Sequence, residues 1–344
     1  MSSSSLFLRG CLLFICSAQL VSGQTTYNGG NSGPYYLIDS YTPNNFFSKF
    51  TFYTAGPDWH RGWKYVNQAI AQNNGYISTN ASSIYMGVDT LHTYPTNGAG
   101  RPSVRISSNN NYTHGLFILD LNHMPYGCGT WPAFWTVGPD WPSHGEIGML
   151  NIIEGVNVNN ANLMSLHTSD NCTISGLNET GSIQTNNCYI YSGSNSGCGS
   201  YANNNATPNN YGTGFNANQG GVYAMEWTSS AIKTWFFARR SIPSSITAGY
   251  PDVSQFGLPM AAFAGSCPNS YCAIDDHFGS HSITFDNTFC GDYAGNAYGS
   301  TSCPQTANQG SMGSCINWVA NNPTNFTEAY WLINSLNVYQ MQSG

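Results

Sequence analysis

The sequence predicts an all-β protein, an antiparallel β-sandwich with long loops, on three observations. Short apolar and aromatic runs recur between clusters of Gly, Asn and Ser, and many alternate with period two or are enriched in β-branched residues. Charged residues make up only 7% of the 344, against roughly 25% in an average soluble domain. That excludes coiled coils and long charged helical bundles, which need Glu, Lys and Arg. Hydrophobic residues reach 41% and aromatic residues 14%, enough to bury a large core and unlike the composition of a disordered chain.

Taken in order, the runs predicted as strands are 46–54, 84–88, 103–106, 115–121, 163–167, 222–228, 232–238 and 282–286. Helical periodicity is sparse, with candidates at 63–71 and 315–321. The Asn-rich stretch 203–218 reads as a loop rather than a domain boundary. No linker, charge block or repeat divides the chain. The expected organisation is a leader over residues 1–23 and one domain over 24–344.

The leader is predicted from Arg9, the apolar run Cys11-Leu12-Leu13-Phe14-Ile15-Cys16 and the small residues at Val21-Ser22-Gly23. A charged start, a short apolar stretch and small residues form a secretory signal peptide, too short to anchor in a bilayer. The expectation is a secreted, extracellular monomer without membrane attachment. A net charge of −7 argues against nucleic acid, whose phosphates need clustered Lys and Arg. Amides and hydroxyls must wet such a surface, which suits neutral polymers. No metal or cofactor is called for.

Nine cysteines follow the leader, and export favours disulfides over a zinc site, for which no Cys-x-x-Cys repeat is present. Spacing does not determine connectivity. Cys267/Cys272 and Cys303/Cys315 read as loop staples, and Cys128, alone beside an apolar strand, as the unpaired thiol. Six Asn-x-Ser/Thr sequons, at Asn80, Asn111, Asn171, Asn178, Asn205 and Asn325, are candidate glycan acceptors.

The chemistry is concentrated in Trp141-Pro142-Ser143-His144-Gly145-Glu146-Ile147-Gly148-Met149-Leu150-Asn151-Ile152-Ile153-Glu154-Gly155. Carboxylates inside so apolar a run are costly unless they have a partner or a task. Two carboxyls in an aromatic-lined cleft are what glycoside hydrolysis requires: one protonates the leaving oxygen, and the other attacks the sugar carbon or activates water.

This segment resembles glycoside hydrolase family 16, in particular fungal laminarinase-type endo-β-glucanases, whose catalytic strand reads W-P-x-x-G-E-I-D-I-I-E-G-V-N. The likeness extends to Cys128-Gly129-Thr130-Trp131-Pro132-Ala133-Phe134-Trp135, Ser165-Leu166-His167-Thr168, Gly221-Val222-Tyr223-Ala224-Met225-Glu226-Trp227 and Thr288-Phe289-Cys290-Gly291-Asp292-Tyr293-Ala294-Gly295. The resemblance implies a concanavalin A-like jelly roll of two curved antiparallel sheets, with a glucan chain on the concave face. It also implies a secreted endo-β-1,3(4)-glucanase acting with retention of configuration. Glu146 is then the nucleophile, Glu154 the acid/base, and Asn151 stands in for the assisting Asp. Trp135, Trp141, His167 and Tyr293 are the implied substrate-binding residues. Arg101 or Arg105 is expected to bond sugar hydroxyls, and Glu226 to be a hydrogen-bond acceptor at the cleft edge.

One departure stands against these matches. Gly148-Met149-Leu150-Asn151 replaces a single Asp, a net insertion of three residues. An extended eight-residue separation spans roughly 26 Å at about 3.3 Å per residue, beyond the reach of two Glu side chains. If strand register runs back unbroken from Glu154, Met149 takes the nucleophile position. If the extra residues bulge out, Glu146 still faces Glu154. The first arrangement makes a catalytically impaired β-glucan-binding protein, the second a hydrolase. A transglycosylase, using the same covalent intermediate, is a third possibility.

Overall fold

The computed structural model describes residues 35–54, 62–147, 152–193, 197–265 and 271–341. Two nine-stranded antiparallel sheets pack face to face. One contains β1 (Phe50–Phe52), β2 (Arg105–Tyr112), β3 (Thr130–Val137), β4 (Glu146–Ile147), β5 (Ile153–Glu154), β6 (Leu163–His167), β7 (Ser182–Thr185), β8 (Cys198–Tyr201) and β9 (His281–Phe289). Their spatial order is β7-β8-β6-β4-β3-β9-β2-β1, with β5 also paired to β3. The second sheet is built around Gly115–His123, flanked by Gly221–Trp227 and Trp331–Met341.

Alternation decides which residues face the core. On β9, Ile283 and Phe285 enter the buried cluster between the sheets, whereas Thr284, Asp286 and Thr288 point to the opposite face. On β3, Phe134 stacks on Phe285 with ring centroids 4.6 Å apart, a contact worth about 0.5–1.5 kcal/mol beyond its area. Its neighbours Trp131, Ala133, Trp135 and Val137 share the outer face with Thr284, Asp286 and Thr288. The outer face of this sheet carries the site.

The predicted strands 163–167 and 232–238 have the observed bounds, and the other predicted runs all contain strand. The run 103–106 is split between the strand Arg101–Ser103 and β2. The 63–71 helix is corrected. Trp63–Tyr65 is a strand paired in parallel with Arg101–Ser103, and the helix begins only at Gln68, capped by the Asn67 side chain. The C-terminal helix, α1 (Ser311–Asn321), extends the predicted 315–321 by four residues. The loop expected over 203–218 includes a short helix, Gly212–Ala217. Among the described residues, no helix is long and apolar enough to cross a membrane.

The cysteine expectations are corrected as well. Among the described residues the disulfides are Cys128–Cys303, Cys172–Cys272, Cys188–Cys198 and Cys290–Cys315. Cys128 is therefore bonded, and neither proposed loop staple forms. The reason is tertiary. Cys128 packs against a second apolar cluster around α1, where Phe289, Cys290, Cys303, Cys315, Val319 and Phe326 meet. Sheet topology, not sequence proximity, brings these thiols together. Cys267 lies outside the described residues, as do residues 1–34 and with them the predicted leader.

Candidate active site

Glu146 and Glu154 lie on either side of the departure from the family motif, and both flanks pair with β3. Glu146 is opposite Val137 and Ile147 opposite Thr136; Ile153 is opposite Phe134 and Glu154 opposite Ala133. The two glutamates thus stand four positions apart along one partner strand and on the same face. Between Ile147 and Ile153 the chain runs five residues while β3 contributes only Trp135. The unbroken-register arrangement, with Met149 in place of Glu146, is not the one adopted. Asn151 and the other residues 148–151 lie outside the described residues.

Local structure fixes each carboxylate. Before β4 the chain turns at Gly145, whose φ is +68°, and a Cβ there would sit 2.2 Å from the His277 carbonyl oxygen. Only glycine meets both demands. The turn is tied down by Gly138 N–H donating to Gly145 O at 3.1 Å. The buried His281 adds a 2.8 Å bond from Nε2 to His144 O; burial pulls this imidazole down to about 4. After the departure, Asn162 holds the backbone. Its Oδ1 accepts from Glu154 N–H at 2.6 Å, and its Nδ2 donates to Ile152 O at 2.8 Å.

Both glutamates are buried, at 1% and 0% exposure. Oε1 of Glu146 and Oε2 of Glu154 are buried without a hydrogen-bond partner among the described residues. A buried oxygen left so calls for a partner, and a reacting group would supply one. Burial pushes both carboxyls well above the usual range, but their surroundings differ. At Glu146 the Trp141 indole and the positive charge of Arg105 both oppose the effect of burial, while the Asp286 charge adds to it. Glu154 accepts a bond from Trp131 Nε1. The charges of Asp286 and Glu146 both reinforce its retention of a proton. Of the two, Glu146 is the better placed to ionise and Glu154 to stay protonated.

The other predicted residues divide. Trp141 is 38% exposed, an open aromatic platform beside Glu146. Trp135 is buried, donates from Nε1 to Asp286 Oδ2 at 2.9 Å, and has the Arg105 guanidinium 4.9 Å over its ring. His167 is buried directly across from Glu146 in the β4–β6 register. Tyr293 lies edge-on to Trp131 at 5.8 Å, on the Glu154 side.

Arg101 is a correction. It is fully buried, with Nε and Nη2 donating to Val319 O and Nη1 to the Asp89 carbonyl and carboxylate. It neutralises carbonyls in the last turn of α1, which have no partner within the helix, and does not reach the cleft. The cleft arginine is Arg105. Glu226 is corrected too: it shares a face of the second sheet with Val222 and Ala224, away from the inter-sheet core, and accepts from Tyr35 Oη at 2.7 Å.

Two site residues escaped the sequence reading. Trp131 was not separable from a core tryptophan. Asp286 looked like a strand end, yet it is a buried third carboxylate, bonded by Trp135 and by Thr288 at 3.1 Å. Burial pushes it up to about 6.

Comparison with known proteins agrees with this geometry. A family model described as "XgeA-like, catalytic GH16 domain" matches residues 50–339. A probable endo-1,3(4)-beta-glucanase of Aspergillus niger is 46% identical over 308 residues, covering 89% of this chain and 40% of that protein. The chain spans about half the length of the curated relatives it matches. Among solved structures, an elongating family 16 beta-1,3-glucosyltransferase is 43% identical, with TM-score 0.82 over 89% of this chain and 100% of its own. Laminarinase 16A from Phanerochaete chrysosporium, solved with 6-O-glucosyl-laminaritriose in donor and acceptor sites, is 40% identical, with TM-score 0.80 over 89% and 99%. By the extent of these matches and by its two antiparallel sheets, a jelly-roll sandwich, this chain belongs to glycoside hydrolase family 16.

Proposed function

We propose that the protein is a secreted endo-β-1,3(4)-glucanase that hydrolyses β-glucan with retention of configuration. The observation that carries this reading is the placement of Glu146 and Glu154 on one sheet face, four positions apart on β3, each with a buried oxygen that has no partner among the described residues. Glu146, assisted by the Trp141 indole and the Arg105 charge, attacks the anomeric carbon. Glu154 gives its proton to the departing glycosidic oxygen. The Glu154 carboxylate then takes a proton from water, which displaces Glu146 and frees the sugar. Charge moves between two groups already held in place, so little reorganisation is needed. Trp141 offers an exposed ring to a pyranose face.

Secretion is supported by the leader-like pattern before about residue 24, by the four disulfides and by the exposure of all six sequon asparagines. Transglycosylation is a second reading, favoured by the likeness to the elongating glucosyltransferase; a sugar hydroxyl would then replace water in the second step. One assay separates these readings. Protein collected from the culture medium is incubated with laminarin while new reducing ends and product lengths are followed. Hydrolysis predicts rising reducing ends and shortening products, whereas transfer predicts lengthening at constant reducing ends. Binding with neither change, or absence of the protein from the medium, contradicts the proposal.

A further inference from the structure

Asp286 is a buried carboxylate that the double-displacement scheme does not use. We propose that it is a positioning residue for the paired glutamates. It holds Trp135, over whose ring the Arg105 guanidinium lies, as a wall of the site, and places a negative charge across Ala133 from Glu154 so that Glu154 keeps its proton. The proposal rests on the glycosidase reading of the same site.

The geometry begins in the sheet. Glu154, Ala133, Asp286 and Arg105 lie directly opposite one another across β5, β3, β9 and β2, and directly opposed residues share a face. Only the Ala133 methyl stands between the two carboxyls, which are two strand spacings of about 4.8 Å apart at the backbone. Asp286 is buried like the glutamates, but both of its carboxylate oxygens are taken by side chains, so it acts through its neighbours rather than on a sugar. Its Oδ2 accepts from Trp135 Nε1 at 2.9 Å and its Oδ1 from Thr288 Oγ1 at 3.1 Å. Thr288 is in turn bonded to Tyr65 Oη. Arg105, opposite Asp286, is held between the rings of Trp135 and Tyr53 at 4.9 and 4.7 Å.

Of the three buried carboxyls, only Glu146 and Asp286 feel the Arg105 guanidinium. The groups facing Asp286 are Arg105, Trp135, Thr288 and Tyr65, with Glu146 and Glu154 across β3. Trp141, His167 and Arg105 face Glu146. Trp131, Tyr211 and Tyr293 lie around Glu154, and no cation counters burial there. Such a cluster cannot ionise completely, because each added negative charge raises the cost of the next. Arg105 favours the charged forms of Glu146 and Asp286, whereas the Asp286 charge disfavours ionisation of both glutamates and only Glu146 has the cation to offset it. The proton that remains belongs on Glu154, where a general acid needs it.

The experiment is Asp286→Asn, which keeps the side-chain volume and an oxygen for the Trp135 indole but removes the charge. The basic limb of kcat/KM on laminarin, where Glu154 loses its proton, should move to lower pH by about one unit, with KM nearly unchanged. Asp286→Ala should raise KM as well, because Trp135 loses its partner; a purely structural role moves KM alone. The second readout needs no activity: in ¹³C-glutamate-labelled protein, the Glu154 carboxyl should titrate at lower pH in Asp286→Asn than in wild type. Wild type inactive on laminarin would sink the glucanase reading while this titration still decides the role of Asp286. If the amide variant does not fold, Asp286→Ser removes the same charge and should move the Glu154 midpoint in the same direction. An unmoved Glu154 midpoint in folded Asp286→Asn, or in Asp286→Ser where that replaces it, overturns the proposal.

Discussion

Glu154→Gln is expected to lower kcat on laminarin by about 10²- to 10⁴-fold while raising the melting temperature at neutral pH. The loss of rate follows from the first step, since an amide has no proton to give the departing glycosidic oxygen. An aryl laminaribioside, whose phenolate departs without protonation, should lose far less in that step. The gain in stability follows from burial. In the folded protein the Glu154 carboxyl is held well above its ordinary value near 4.5, whereas the unfolded chain ionises it at the ordinary value. Between the two, the native state binds a proton that the unfolded state does not. Wild-type stability therefore falls as pH rises from about 4.5 toward the folded value. A neutral glutamine of the same size has no charging cost. The variant's advantage should vanish below about pH 4 and grow with pH. Thermal melts across pH 3–8, paired with turnover on both substrates, check the two effects. A variant that keeps wild-type turnover on laminarin contradicts the role of Glu154, and an advantage independent of pH contradicts its burial as an acid.

The second large effect concerns the departure from the family motif. Replacing Gly148-Met149-Leu150-Asn151 with a single Asp should raise turnover, because it restores a carboxylate next to Glu146 and shortens the connection behind a nucleophile for which about 1 Å of displacement costs on the order of a hundredfold. Both flanks already hold the register with β3 in which the glutamates share a face, so the shorter connection demands no repairing of strands. The restored carboxylate also adds a charge next to Glu146. Binding should change little, since Trp135 and Trp141 lie outside the exchanged segment. Turnover and laminarin affinity of both versions test this. Equal turnover means that the longer connection leaves Glu146 fully placed, and loss of binding with turnover means that β4 or β5 has been disrupted.

Much of this site was legible in the residues, for a physical reason. Glu146 and Glu154 stand out because a carboxyl inside an apolar run needs an explanation that local structure cannot provide. Asp286 gave no such signal. In Phe285-Asp286-Asn287-Thr288-Phe289 it has polar neighbours, and its importance arises only when β2 brings Arg105 across from it. Arg101 and Arg105 have the same side-chain parity in the sequence, yet Val104 separates two strands there. The first arginine then turns to the carbonyls of α1 and the second to the cleft. The long strand Trp331–Met341 was missed because register shifts beside Ile333 move its apolar residues out of phase, and a period-two search fails at a bulge. Two of the disulfides were illegible for a related reason: the second apolar cluster gathers Cys128, Cys290, Cys303 and Cys315 from separate segments.

The most direct test of the central claim is covalent capture. A 2-deoxy-2-fluoro-β-laminaribioside with a good leaving group slows hydrolysis of the glycosyl-enzyme, so the attacking residue can be identified in a peptic digest by mass spectrometry. The account predicts one fluoroglycosyl group per chain, attached to Glu146, with the label lost from Glu146→Gln and turnover restored as the adduct hydrolyses. A label on Glu154 or Asp286, or continued turnover of laminarin by Glu146→Gln, would contradict it.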